Sequence, residues 1–117
     1  MKTAAVIDAL AALAHENRLA IYRLLIERGP QGLPAGAIGD RVGLAPSSLT
    51  FHLQSLHRAG LITQTRASRQ LIYAADFGAM NELVGYLTDN CCAESGACAP
   101  TCKPTAREKA SRRKVAA

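Results

Sequence analysis

LAPSSLTFHLQSLHRAGLI, residues 44–62, decides the fold. Leu49, Leu53 and Leu56 recur at helical spacing, so one stripe of this segment is apolar and faces a core. Pro46 suits the first turn, where a missing N–H costs nothing, and Gly60 supplies the left-handed stop. The opposite face carries Ser47, Ser48, Thr50, Phe51, Gln54 and Ser55. A helix with one leucine face and one face of hydroxyls, amide and a single exposed aromatic ring is built to dock on one side and to read something on the other.

The flanking segments follow from the same periodicity. Upstream, PAGAIGDRVG (34–43) is a short helix closed by Gly43, joined to the leucine-striped helix through Gly43, Leu44 and Ala45. Two close helices linked by a glycine turn make a helix-turn-helix. Residues 3–14 place Val6, Leu10 and Leu13 at helical spacing, and a second helix over about 17–27 turns Leu19, Tyr22, Leu25 and Ile26 inward until Gly29-Pro30 stops it. Downstream, residues 61–66 and 70–74 alternate as two strands around the turn Ala67-Ser68-Arg69, a hairpin with Arg66 and Arg69 at its tip. Phe77, Met80, Leu83, Val84 and Leu87 then repeat at helical spacing over 76–89. Four helices, a hairpin and a closing helix form the plan of a winged helix-turn-helix, a mainly α fold with a small β-hairpin. The first and last helices have more apolar face than so small a domain can bury, which predicts a homodimer through them.

Composition bounds the rest. At 117 residues the chain holds one core. No run of 18 apolar residues is present, which excludes a membrane-spanning helix. Asp8 breaks the apolar start too early for a secretory signal, so a cytoplasmic protein with reduced thiols is expected. The net charge of +5 belongs to the tail: residues 103–117 carry six basic side chains and one acidic, whereas 1–102 carry eight of each. Three segments follow: a DNA-binding and dimerisation domain over 1–90, a cysteine-rich stretch over 91–102, and a basic tail over 103–117 expected to be disordered. No set of residues has the arrangement of a catalytic nucleophile and base, and no phosphate-cradling glycine loop follows a strand, so the chain is not read as an enzyme. His15, His52 and His57 are read as structural or solvated.

The pattern Ser47-x4-His52-Leu53-x2-Leu56-x2-Ala59-Gly60-Leu61, followed by a hairpin ending in IYAAD, resembles the ArsR/SmtB metal-sensing repressors over about residues 5–90. The resemblance implies a homodimer on double-stranded operator DNA, released by a metal or metalloid. It also marks two departures. Many arsenic and cadmium sensors of that family carry a Cys-x-Cys type motif on the helix before the recognition helix, and here PAGAIGDRVG has no cysteine. Zinc sensors of the family place Asp and His along the last helix, and DFGAMNELVGYLTDN has no histidine.

All four cysteines fall instead in NCCAESGACAPTC, residues 90–102, a segment similar to the arsenite-responsive branch. Cys91 and Cys92 are adjacent, and the small loop AESGA lets Cys98 return to them at little entropic cost. Three thiolates suit the pyramidal coordination of As(III), the expected inducer, with Sb(III) as a chemical equivalent; Cys102 is an additional thiol beyond Pro100. Zinc or another soft divalent ion such as cadmium on four thiols, a thiol–disulfide switch, and inert surface cysteines are the other readings, although an adjacent pair suits tetrahedral zinc poorly. Expected DNA contacts are Ser47, Ser48, Thr50, Phe51 and Gln54 on the helix, with Arg66 and Arg69 on the wing.

Overall fold

The computed structural model describes residues 1–94; Cys98, Cys102 and the basic tail lie outside the described residues. The order is α1 (Thr3–Leu13), α2 (Glu16–Arg28), β1 (Leu33–Pro34), α3 (Ala35–Val42), α4 (Pro46–Arg58), β2 (Ile62–Ala67), β3 (Gln70–Ala75) and α5 (Phe77–Thr88). The chain divides into two compact units, Met1–Leu83 and the remainder from Val84.

Helix boundaries in the first unit have identifiable chemical causes. His15 caps α2, its Nδ1 accepting from the Asn17 N–H at 3.1 Å. Arg18 donates from Nε to the Ala12 carbonyl at 2.7 Å and so ties α2 to the end of α1. Gly43, in the left-handed region, ends α3. At the end of α4 the Leu61 N–H reaches the Leu56 carbonyl at 3.1 Å and the Gly60 N–H the His57 carbonyl at 3.0 Å, the two bonds of a Schellman stop. Asp76 starts α5 by accepting the Ala79 N–H on Oδ1 at 3.0 Å.

The core is formed where α2, α3 and α4 meet the sheet: Ile21, Leu25, Ile38, Leu53, Leu56 and Leu61 are fully buried. Gly39 allows α3 to lie close to α4, since a Cβ there would stand 3.2 Å from both the Leu44 carbonyl oxygen and a Leu49 methyl.

Three expectations are corrected. The sheet has three strands in the order β1-β3-β2, not a hairpin alone. Leu33 and Pro34 pair antiparallel with Tyr73 and Ile72, Pro34 being tolerated because β1 is an edge. Leu19 does not face the core: it is 45% exposed, whereas on α1 Val6, Ala9 and Ala12 are the buried positions and Leu10 belongs to the surplus apolar face. The alanine side of α1 packs inward together with Val6, because small residues permit closer helix approach, and Ile7 and Leu10 are left on the outside. In the wing, the strands run one residue beyond the expected ends, to Ala67 and Ala75, leaving Ser68 and Arg69 as the connecting pair with Ser68 at φ 58°.

Candidate nucleic-acid interface and thiol pair

Helix α4 buries Leu49, His52, Leu53 and Leu56 and thereby turns Ser47, Ser48, Thr50, Phe51 and Gln54 outward, all exposed as expected. Ala45 provides no side-chain cap, so the first N–H groups of α4 remain available at the end that carries the two serines. Phe51 is 59% exposed, with its ring edge-on to His52 at a centroid distance of 5.8 Å. Ser55 is half-buried, and its hydroxyl donates back to the Phe51 carbonyl at 3.2 Å, so its proton is committed to the helix itself.

Among the described residues His52 is the one buried polar or charged side chain apart from tyrosines. Its ring lies 4.7 Å from that of His15. Among the described residues its Nδ1 has no hydrogen-bond partner. Burial, followed by the charges of His15 and Arg18, pushes its pKa below the ordinary histidine value. His52 is therefore a core histidine on the inward face of α4, and His15 lies against its ring while capping α2.

Arg66 and Arg69 are exposed at the far end of the hairpin. Strand alternation puts Ile62, Gln64 and Arg66 on one face of β2. Ile62 is buried on that face and Gln64 pairs with Tyr73 across the strands. Where this face meets α4 there is a notch of about 240 Å³ lined by Leu53, Gln54, His57, Arg58, Gln64 and Tyr73. Sequence reasoning missed Arg58 and Gln64. The signal available for Arg58 was its place four residues after Gln54, on the stripe that already held Ser47 and Phe51; Gln64 had none, because its nearness to α4 depends on the fold.

In the second unit α5 ends where Thr88 bonds back to the Val84 carbonyl at 2.9 Å. The Cys91 N–H then reaches the Thr88 carbonyl at 3.0 Å, with Asn90 and Cys92 both in the left-handed region at φ 60° and 62°. This tight turn brings the Cys91 and Cys92 sulfurs to 3.6 Å. The hydrogen bond to Cys92, followed by desolvation and the neighbouring thiol's charge, raises the Cys91 pKa. The separation is short enough for both sulfurs to bind one soft ion. Among the described residues no cluster of three or more His, Cys, Asp or Glu side chains is assembled for a metal. No helix among them is long and apolar enough to cross a membrane.

Comparison with known proteins agrees with this geometry. A helix-turn-helix domain family matches residues 13–65, from the end of α1 into β2. The nodulation protein NolR of Rhizobium meliloti is 30% identical over 80 residues, 68% of this chain and 63% of NolR, so the chain spans less than two thirds of that curated relative. An ArsR-like transcriptional regulator from Rhodococcus superposes with a TM-score of 0.64 at 25% identity, over 72% of this chain and 76% of that one. HlyU from Vibrio cholerae superposes with a TM-score of 0.59 at 30% identity, over 74% of this chain and 97% of HlyU. With that identity over nearly all of HlyU, and a recognition helix and wing in place, the chain belongs to the ArsR-like family of winged helix-turn-helix transcriptional regulators.

Proposed function

We propose that the protein is a homodimeric repressor that grips operator DNA through α4 and the wing and lets go when As(III) is held by Cys91, Cys92 and Cys98. The observation that carries the DNA-binding half is the outward stripe of Ser47, Ser48, Thr50, Phe51 and Gln54 on a helix whose other face is locked into the core. Hydroxyl and amide groups reach base edges and phosphates, and the Phe51 ring supplies an apolar surface for a thymine methyl. Arg66 and Arg69 on the wing reach the backbone or the minor groove. In a dimer the two recognition helices would read successive major grooves about 34 Å apart. Exposed Ile7 and Leu10 on α1, and separately Val84 and Leu87 on α5, supply the apolar surface such a dimer needs.

The sensing half rests on the 3.6 Å separation of the Cys91 and Cys92 sulfurs. Two thiolates at that spacing fit two of the three ligands of a trivalent arsenic or antimony ion, with Cys98 as the third and Cys102 four residues further along. Bound there, the ion would tie the cysteine segment to the end of α5. A coupling of about 1–3 kcal/mol between that site and DNA is the usual scale of such linkage.

A titration of arsenite into the protein–operator complex, kept reduced, tests the reading. Wild type should dissociate. Single serine replacements of Cys91, Cys92 and Cys98 should bind DNA unchanged and ignore arsenite, and Cys102→Ser should respond as wild type does. An operator complex that survives saturating arsenite would exclude the metalloid. The close thiol contact also favours a second reading, oxidation of the pair as a redox signal, which peroxide-driven release without arsenite would support. Release by zinc or cadmium alone would point to a soft divalent ion instead.

A further inference from the structure

We propose that the notch between the C-terminal half of α4 and strand β2 seats a backbone phosphate of the bound duplex, with Arg58 as its cation and the Gln54 and Gln64 side-chain amides as neutral donors. The inference rests on the DNA-binding reading and adds to it a contact at the C-terminal end of the recognition stripe, away from the wing tip. Three observations support it. Ser47, Phe51, Gln54 and Arg58 follow one another at spacings of four, three and four, so Arg58 continues the outward stripe to the point where a helix lying in a groove leaves it. The notch is lined on its other side by Gln64, which strand alternation places on the same face of β2 as Arg66, so the helix and the wing approach one another there. No carboxylate lines the cavity, whereas Arg58, His57 and two amides do, and about 240 Å³ is room for a phosphate group. A guanidinium presents several N–H donors in a fixed fork that matches phosphate oxygens.

Arg58 also stands in the last turn of α4, where a cation complements the helix dipole. That role predicts a change in helix stability and none in salt dependence, which separates the two functions. The test measures the affinity of the full-length protein for a mixed-sequence duplex, by fluorescence anisotropy, over a series of salt concentrations. With Arg58→Ala the slope of log affinity against log salt should become shallower by about 0.9 for each Arg58 on the duplex, because one counterion-releasing contact is lost. The weakening should be the same for any duplex sequence, and Arg58→Lys should keep the wild-type slope. Gln64→Ala should weaken binding with the slope unchanged. A wild-type slope in Arg58→Ala, with circular dichroism showing an intact fold, overturns the phosphate seat while leaving DNA binding standing. Wild-type protein that binds no duplex at any salt overturns both. Inorganic phosphate that competes with duplex more strongly than chloride at equal ionic strength, in wild type but not in Arg58→Ala, would assign the notch to a free anion and overturn the backbone assignment.

Discussion

His52 and Tyr22 are the two buried side chains that leave a polar atom without a hydrogen-bond partner among the described residues. Both sit in the core for their rings and bear a polar cost for it. For His52 the folded-state pKa lies below the ordinary 6.5, so the unfolded chain takes up the proton first. Stability from the neutral ring is fully present above about pH 6.5 and declines as pH falls from there toward the folded pKa. Denaturant midpoints measured down through that window should fall in wild type and stay flatter in His52→Leu, which fills the same space without a titrating group. Tyr22 behaves in the opposite sense. Burial, followed by the Asp76 charge, pushes its phenol up to about 12 from 10.0. Its contribution is complete below pH 10 and disappears between pH 10 and about 12, as the unfolded chain ionises first. Because the hydroxyl is unsatisfied, Tyr22→Phe should hold or raise neutral-pH stability by up to roughly 1 kcal/mol. Thermal melts of the two proteins at neutral and alkaline pH provide the check, and a Tyr22→Phe protein clearly weaker at neutral pH would mean the hydroxyl has a partner in solution. What shifts the two rings is not legible in the sequence: burial comes first, and His15 and Arg18 then act on His52, and Asp76 on Tyr22, from positions distant in the chain.

At the scale of elements, β1 is the part least visible in one dimension. It is two residues long, includes a proline, and cannot display a period. What makes it a strand is Gly32, which adopts φ 70° and whose absent Cβ leaves room for the Tyr73 carbonyl oxygen. Gly32→Ala meets both obstacles and should destabilise the fold by more than about 1 kcal/mol. Amide exchange on β1 and β3 would report the loss, and unchanged protection there would show that the strand closes by another route. The helices were far more legible. The leucine stripe of α4, its Pro46 start and its Gly60 stop are local features, and each lies where the periodicity puts it. The outward face of α4 was therefore readable residue by residue, apart from Ser55, which is half-buried and whose proton is spent on its own helix. The junction of α4 with the wing, with Arg58 and Gln64 on its two sides, was not readable, because α4 and β2 approach only after the sheet has formed.

For the whole molecule, the proposed dimer turns the exposed apolar side of α1 into a measurable property. Ile7 is 60% exposed and Leu10 41% exposed on α1, on the side away from the buried alanines. If the helix is the proposed interface, Ile7→Glu combined with Leu10→Glu should shift sedimentation equilibrium toward monomer and leave the helical circular dichroism in place. A variant pair that sediments as wild type would move the interface elsewhere. By itself the sequence determined the helix-turn-helix, the wing, the outward polar face of α4 and the adjacency of two thiols, since each is carried by residues within one or two turns of one another. Only the tertiary structure decided which side of α1 is buried, that Leu33 and Pro34 extend the sheet, that His15 lies against His52, and that Arg58 and Gln64 line one notch. Those outcomes depend on which surfaces approach across the core, and periodicity records only that a face is apolar, not which neighbour comes to cover it.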